Sequence, residues 1–246
     1  MDAEKEEEIF KELKKDFEST FGELIPGTLH KFANSLSGIL GRSGLLEERA
    51  KRHFELIANS GCQIDDEILE DCKKIICDTS LISEEANRFF CLFNNVAGKF
   101  QRLQDTDLQR INLSELVEAE MKFLRFYPDF EYNIKIKLTL DREMPEVLGV
   151  KADYSISLLE IIRDSMNFMK DSELKELAIS TGHDDSHVYV KIKDTGAPVA
   201  HDRSLHDSDG EKSEFSNALL LLQKYGTLVQ IVHESGFNVI SIRIPY

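Results

Sequence analysis

A histidine and an asparagine one helical turn apart, His30 and Asn34, are the residues of this sequence best suited to chemistry. Residues four apart lie on the same stripe of a helix. A neutral imidazole has a pKa of about 6.5, so at about pH 7 a ring nitrogen can carry a phosphoryl group. The next residue, Lys31, cannot take the histidine proton as a general base, although its charge can attract a phosphoryl group.

Two long helices are predicted to position this pair. Apolar residues alternate spacings of three and four over residues 29–57 and again over 75–103. This pattern is typical of helices that pack along a seam. Because Leu29 and Phe32 fall on the seam, we expect His30 to lie on the outward face of the first helix.

The two helices are expected to form an antiparallel hairpin, with its turn at residues 59–62. One hairpin cannot cover both apolar stripes, so we expect two copies to pair into a four-helix bundle, as a homodimer. A charged helix over residues 1–20 precedes the hairpin, and residues 22–27, with Pro26, are expected to interrupt it. Its thin apolar stripe consists of Phe10, Leu13, Phe17 and Phe21.

Strands and helices are mixed from about residue 112 onward. Apolar–polar alternation predicts strands, and a period near that of the α-helix predicts helices. Helices are predicted at 113–124, 156–169 and 215–225, and strands at 132–140, 176–181, 187–193, 228–232 and 238–244, after a polar join at 104–110. The predicted fold class is α+β, with a helical hairpin followed by a sheet that has helices on one face. The expected domains are 1–25, 26–105 and 110–246.

Composition narrows the class of protein. The chain has 246 residues and a formal net charge of −15, which does not suit nucleic acid, since phosphate neutralisation needs clustered Lys and Arg. No apolar stretch approaches the length of a membrane span, and the charged start does not have the pattern of a signal peptide. The four cysteines, without a C-x-x-C pair, are interpreted as reduced core thiols of a cytoplasmic protein.

The segment from His30 to Leu36 resembles the H-box of two-component sensor histidine kinases, in which His is followed by Asn or Thr at +4 and Leu at +6. That motif belongs to the family's dimerisation and phosphotransfer hairpin. The resemblance continues through most of the chain. Residues 110–117 are similar to the segment that enters the family's ATPase-like domain, and residues 146–149 to the approach to its nucleotide helix. The resemblance implies an α/β sandwich of that type after the hairpin.

Residues 158–169 are similar to the N-box helix of that domain, and Glu160 and Asp164 occupy its two usual asparagine positions. The second asparagine normally holds the magnesium that bridges the ATP phosphates. Asp164 supplies oxygen ligands for a hard cation, but it adds negative charge beside a triphosphate. Residues 190–196 resemble the D-box, so Asp194 is implied to receive the adenine amino group.

Other parts of the implied nucleotide site depart from the family. Gly196 keeps one D-box glycine, but Pro198 replaces the next. Residues 212–217 have no glycine that would let phosphates approach a helix N-terminus. The implied ATP lid, residues 197–214, is acidic, and we interpret His201 and His206 there as members of a polar loop rather than metal ligands. The structural alternative for the boxes is an ordinary turn at Asp194-Thr-Gly196 and a solvated helix face at Glu160 and Asp164.

The resemblance implies a histidine phosphotransferase that exchanges phosphate between His30 and a response-regulator aspartate without using ATP. A receiver domain would dock along the first helix, and no cofactor is expected unless the degenerate site still binds ATP and magnesium. One alternative is a non-catalytic pseudokinase that docks a regulator or kinase, which Lys31 favours. A second alternative is a divergent ATP-dependent kinase, or a regulator phosphatase in which Asn34 positions water.

Overall fold

The computed structural model of the chain describes residues 3–59, 66–127, 130, 134–198 and 214–246. Inside the first two helices some side chains, including those of residues 20–30, are outside this description. The chain divides into two compact units. Met1–Leu24 and Ala97–Tyr246 form the first unit, and Ile25–Val96 form the second unit.

Two long helices make up the first part of the sequence. Helix α1 spans Ala3–Asn59 and helix α2 spans Asp66–Gln104. The predicted interruption at residues 22–27 is wrong, because the backbone of α1 is helical throughout. A proline inside a helix removes the hydrogen bond to the carbonyl four residues earlier and crowds that carbonyl, at a cost of about 3 kcal/mol. The backbone on both sides of Pro26 is helical nonetheless. The predicted turn at 59–62 lies outside the described residues, apart from Asn59.

The second unit, Ile25–Val96, is an antiparallel helical hairpin, as predicted. Near the turn Arg52 Nη2 lies 2.7 Å from Glu67 Oε1. Further along, Arg49 pairs with Asp78. Farthest from the turn, the rings of Phe32 and Phe89 meet edge to face with centroids 5.0 Å apart. In these three pairs, a lower residue number on α1 goes with a higher residue number on α2. The two helices therefore run in opposite directions.

Within the first unit, the described residues after α2 form two sheets and three helices. Strands β1 (Leu108–Ile111) and β3 (Val147–Val150) pair as a short antiparallel ribbon. The other strands are β2 (Lys135–Thr139), β4 (Glu176–His183), β5 (His187–Asp194), β6 (Leu228–Glu234) and β7 (Phe237–Pro245). They form one sheet in the order β2-β4-β5-β7-β6, in which only β2 and β4 are parallel. The helices are α3 (Leu113–Leu124), α4 (Lys151–Phe168) and α5 (Glu214–Gln223).

The α+β class predicted from the sequence is confirmed. Strand β5 alternates buried and partly exposed residues along its whole length, and helix α4 packs against it. Asn112 caps α3, since its side-chain oxygen accepts a hydrogen bond from the backbone N–H of Glu115 at 3.1 Å, as a helix N-cap does. None of the described helices is both long and apolar enough to cross a bilayer.

Three of the differences from the predicted boundaries are the following. The segment 104–110, which was predicted to be a polar join, overlaps β1. The prediction missed this strand because four residues are too few to show an alternating pattern. Helix α4 begins at Lys151 rather than at residue 156, directly after β3 and without a loop. The strand predicted at 132–140 is described only over Lys135–Thr139, and residues 132 and 133 lie outside the described residues.

Candidate functional site

The residues that resemble the H-box lie on α1. The backbone at His30 is helical, but its side chain lies outside the described residues. Asn34 lies one turn further along and is exposed, while Lys31 is half-buried. Phe32 packs on Phe89 of α2. The hairpin therefore has the seam expected at Phe32, and an exposed polar residue at the position of Asn34.

Asp194 lies at the end of β5, and its side chain is fully buried. Its Oδ1 accepts hydrogen bonds from the backbone N–H of Gly196 at 2.9 Å and from Asn238 Nδ2 at 2.8 Å. Asn238 Nδ2 also donates to the carbonyl oxygen of Ala197 at 3.0 Å. The other carboxylate oxygen, Oδ2, is buried and receives no hydrogen bond from the described residues. Asp194 thus stabilises a turn through Oδ1, and no described residue donates to its Oδ2.

The close approach of two backbone segments explains the glycine at position 196. A Cβ atom there would lie 2.7 Å from the Cβ of Phe168, 2.8 Å from its carbonyl oxygen and 2.9 Å from Asp194 Oδ1. These separations are shorter than van der Waals contact, so any side chain would push the turn away from the end of α4. Gly196 therefore joins the turn after β5 to the C-terminus of α4.

Glu160 and Asp164 lie one turn apart on α4. Glu160 is buried, and both of its carboxylate oxygens pair with Nη1 of Arg163, at 2.9 and 3.0 Å. The Arg163 guanidinium in turn lies 5.9 Å from the centroid of the Tyr127 ring. Asp164 is half-buried. The structure therefore brings the two carboxylates to one face of α4, where Arg163 offsets the charge of Glu160.

A carboxylate that sequence reasoning missed lies at helix α5. Glu12, in the N-terminal part of α1, accepts a hydrogen bond from Nδ2 of Asn217 at 3.0 Å. Asn217 is in the first turn of α5 and is buried. Both residues belong to the first unit. No sequence signal distinguishes Glu12 from the other acidic residues of its segment, because the pairing spans 205 positions.

A buried ionic cluster ties the end of α2 to the helices of the first unit, and sequence reasoning missed it too. Lys99 Nζ donates to Glu120 Oε2 at 2.7 Å and to Ser155 Oγ at 2.8 Å. Arg102 Nε donates to the other Glu120 oxygen at 2.9 Å. Burial lowers the pKa of Lys99, and the neighbouring Glu120 carboxylate opposes that change. The cluster positions α3 and α4 relative to the last turns of α2.

Some predicted features are outside the described residues or differ from expectation. The lid histidines His201 and His206 lie outside the described residues, and Pro198 is exposed. Cys77 and Cys91 are free and exposed, so the interpretation as core thiols is wrong for these two. They lie on the solvent-facing side of α2, which a cysteine count cannot reveal. Among the described residues, no group of three or more His, Cys, Asp or Glu side chains is placed to hold a metal ion.

The residues present fit one end of an ATP molecule and not the other. At the adenine end, the unused Oδ2 of Asp194 is an acceptor suited to an amino group. At the phosphate end that the resemblance implies, α4 contributes Asp164, and Glu12 bonds to the first turn of α5. On electrostatic grounds these carboxylates disfavour a triphosphate.

Comparisons with known proteins give matches at the level of fold. No family model and no curated protein matches the chain. The catalytic domain of histidine kinase ThkA, in a nucleotide-free form, is 16% identical with a TM-score of 0.49, over 56% of this chain and 95% of that chain. The Acinetobacter baumannii histidine kinase AdeS is 15% identical with a TM-score of 0.48, over 83% of this chain and 94% of that chain.

A third similar structure is histidine kinase ThkA in complex with response regulator protein TrrA. It is 16% identical with a TM-score of 0.48, over 94% of this chain and 63% of that chain. At such identities the similarity concerns the fold alone. All three are described as histidine kinases. In this chain the described helices α1 and α2 are followed by a mixed sheet.

Proposed function

We propose that the chain is a histidine phosphotransferase of two-component signalling, which exchanges a phosphoryl group between His30 and a response-regulator aspartate without using ATP. The observation that carries the ATP-independent part is the hydrogen bond between Glu12 and Asn217, which puts a carboxylate at the first turn of α5. The hairpin supports the phosphotransfer part, because Asn34 is exposed one turn after His30.

The proposed reaction needs only the partner's aspartyl phosphate and its magnesium ion. A ring nitrogen of His30 attacks the phosphorus atom, the P–N bond forms, and the P–O bond to the aspartate breaks. The carboxylate leaves as an anion, and the imidazole proton passes to solvent. Lys31 follows the histidine in the sequence, and its positive charge would attract the phosphoryl oxygens. The reverse transfer uses the same groups.

The partners we propose are a receiver domain, docked along α1 near His30, and a second copy of the chain. The dimer is supported by apolar side chains that the hairpin leaves in solvent. Phe90 is 62% exposed and Phe93 is 52% exposed, and Phe93 falls on the predicted seam of α2. Burying two phenylalanines in a four-helix bundle would contribute roughly 2 kcal/mol each.

The phosphotransfer proposal is tested with a receiver domain that carries a radioactive aspartyl phosphate. The wild-type chain should gain label that is stable in base and lost in acid, as expected for phosphohistidine. His30→Ala should gain none. His53→Ala, a change of the same kind in the same helix, should be labelled like the wild type. Equal labelling of His30→Ala and wild type would overturn the proposal.

The second candidate is a protein that docks a regulator or a kinase without carrying phosphate. Lys31 favours it, since a cation directly after the histidine cannot act as the general base of autophosphorylation. Under this candidate, His30→Ala should regulate the partner as well as the wild type does. The phosphotransferase predicts that the same variant loses its effect on the partner.

A third candidate is a divergent ATP-dependent kinase or a regulator phosphatase. The observation in its favour is the buried Asp194, one of whose carboxylate oxygens receives no hydrogen bond from the residues that the structure describes. Calorimetry with ATP and magnesium separates the kinase from the other candidates, with an active kinase as positive control. The phosphotransferase predicts no binding up to millimolar ATP. A phosphatase that uses Asn34 to orient water would instead lose activity in Asn34→Ala while His30→Ala keeps it.

A further inference from the structure

A shallow basin lies on the open face of the five-stranded sheet. Along β5 every second residue is buried, and the residues between them, at the odd positions of 187–193, are half-exposed. Helix α4 packs on β5, and successive residues of a strand point to opposite faces, so the half-exposed residues belong to the face away from α4. The basin has a volume of about 370 Å³, and its walls come mainly from β5, β6 and β7. That volume lies within the range of roughly 300–1,000 Å³ found for small-molecule sites.

Three cations from two neighbouring strands line the basin. Lys191 and Lys193 lie two positions apart on β5 and share its open face. Arg243 of β7 pairs in register with Tyr189 of β5. Because Lys191 is two positions from Tyr189, Lys191 and Arg243 are diagonal neighbours, with Cβ atoms expected within roughly 8 Å of each other. An anion between these two side chains would contact both.

Ser241 lies at the centre of the basin floor. In the register of the sheet it pairs with Lys191 of β5 on one side and with Gln230 of β6 on the other. Among the residues that the structure describes, none forms a hydrogen bond or an ion pair with the side chains of Ser241, Gln230 or Lys193. The ammonium group of Lys191 lies 4.7 Å from the centroid of the Tyr189 ring, a contact that leaves it able to donate to an oxygen atom. These side chains can therefore donate to a ligand in the basin.

Two carboxylates also line the basin, and neither lies at its centre. Asp184 pairs with Arg243 and accepts hydrogen bonds from two backbone N–H groups. Its charge is thus offset, and it holds the guanidinium group at one end of the basin. Glu234 lies opposite Phe237, which is four positions along β7 from Ser241, or roughly 13 Å away. The centre of the basin is therefore positively charged, although the chain as a whole carries a formal charge of −15.

Gly182 of β4 contributes to the shape of the basin. A Cβ atom at this position would overlap the hydroxyl group of Tyr189 and would lie 2.5 Å from the ring carbon that bears it. The Tyr189 ring therefore lies across β4, away from β7. A side chain at position 182 would move this ring toward β7 and into the basin.

We propose that the basin binds a small dianion of the phosphate type, seated over Ser241. Its oxygen atoms would accept hydrogen bonds from Lys191 and Gln230 on either side and from Arg243 at one end, and the three cations would offset its charge. The basin belongs to the first unit, whereas His30 belongs to the second. The proposal therefore goes beyond phosphotransfer at His30 and does not depend on it.

Amide NMR spectra of the isotope-labelled full chain, recorded during titration with inorganic phosphate at low salt, test the site. The backbone signals of residues 189–193 and 239–243 should shift and reach saturation at millimolar phosphate. Lys193→Gln should weaken binding about ten-fold, because one charge-assisted contact is lost. Lys137→Gln is the matched control, since it removes the same charge from an exposed lysine of the same sheet face, on β2 and outside the basin. It should bind phosphate like the wild type.

Gly182→Ala should also weaken binding, although it removes no charge, because the displaced Tyr189 ring would fill part of the basin. The same titration with glycerol phosphate identifies the source of the ligand. Tighter binding of the ester would assign the phosphate group to a metabolite, tighter binding of inorganic phosphate would assign it to the free anion, and either result supports the site.

Equal weakening by Lys193→Gln and Lys137→Gln would overturn the proposal, because it would show attraction by charge without a site. Shifts confined to α4 and α5, or no shift at millimolar concentration of either probe, would overturn it as well. His30→Ala should bind phosphate like the wild type, so a failure of phosphotransfer at His30 would leave this result unchanged.

Discussion

Replacement of Lys99 by methionine should destabilise the first unit strongly. The methionine keeps a side chain of similar length beside Phe17 and Phe123, whose rings lie 5.4 and 5.9 Å from the ammonium group. It removes the positive charge and the hydrogen bonds that Lys99 donates. Glu120, which is 0% exposed, then keeps Arg102 Nε at 2.9 Å and Ser155 Oγ at 2.7 Å as hydrogen-bond donors.

The magnitude follows from the charge that stays buried. Removal of one partner of a buried ion pair costs about 3–5 kcal/mol, and the remaining bond from Arg102 places this case at the lower end, about 3 kcal/mol. For a unit of this size that loss lowers Tm by roughly 6 to 12 °C. When Glu120→Gln is added, no unpaired carboxylate remains, so the double variant should be more stable than Lys99→Met alone by about 1–2 kcal/mol.

Urea denaturation followed by tyrosine fluorescence measures these free energies for the first unit alone. All six tyrosines lie after residue 96, and the chain has no tryptophan. Lys99→Arg is the matched control, because it keeps the charge while changing the shape. If the free energy of unfolding of the Lys99→Met chain lay within about 1 kcal/mol of the wild-type value, the reasoning would be refuted. Removal of one partner of a buried ion pair should destabilise the fold by more than that.

Three further outcomes are expected. Phe93→Glu should shift the chain from dimer to monomer in sedimentation equilibrium, because a charge on the predicted seam opposes bundle formation, and an unchanged dimer would contradict the proposed interface. Burial raises the pKa of Tyr154 and Tyr225, with Asp153 adding to the effect. Since only the unfolded tyrosines then lose protons above about pH 10, the free energy of unfolding should fall as pH rises past that value, and Tyr225→Phe should flatten the fall. Gly196→Ala should cost about 1–3 kcal/mol, because its Cβ would lie 2.7 Å from that of Phe168, whereas Gly44→Ala, with open space around it, should be neutral or stabilising.

The periodic spacing of apolar residues predicted the longer helices and strands, because each of them repeats that spacing several times. The alternation from His187 to Lys193 and the helix from Leu113 to Leu124 were found close to their observed bounds. Strands β1 and β3, of four residues each, are stabilised by pairing across about 40 positions, so neither carries a local signal. Pro26 predicted an interruption because proline disfavours a helix interior, yet the backbone of α1 is helical on both sides of it.

In the candidate site, too, some residues could be identified from the sequence and others could not. The sequence identified Asp194, Gly196, Glu160 and Asp164, and the structure shows the first two in one tight turn and the last two on one helix face. It could not identify the partner of Asn217, which comes from the far end of the chain. When two residues of common types pair across a long stretch of sequence, the spacing of residues along the chain does not reveal the pair. The roles of His30, Asn34 and Lys31, a cytoplasmic location and the independence from ATP stay predictions.

The most direct measurement of the central claim compares two phosphoryl donors in parallel. The purified chain is incubated with γ-labelled ATP and magnesium, or with a receiver domain labelled at its aspartate, and the labelled site is mapped by mass spectrometry. The account predicts label on His30 from the receiver domain and none from ATP. Label on His30 from ATP, or no label from any receiver domain of the same organism, would contradict it.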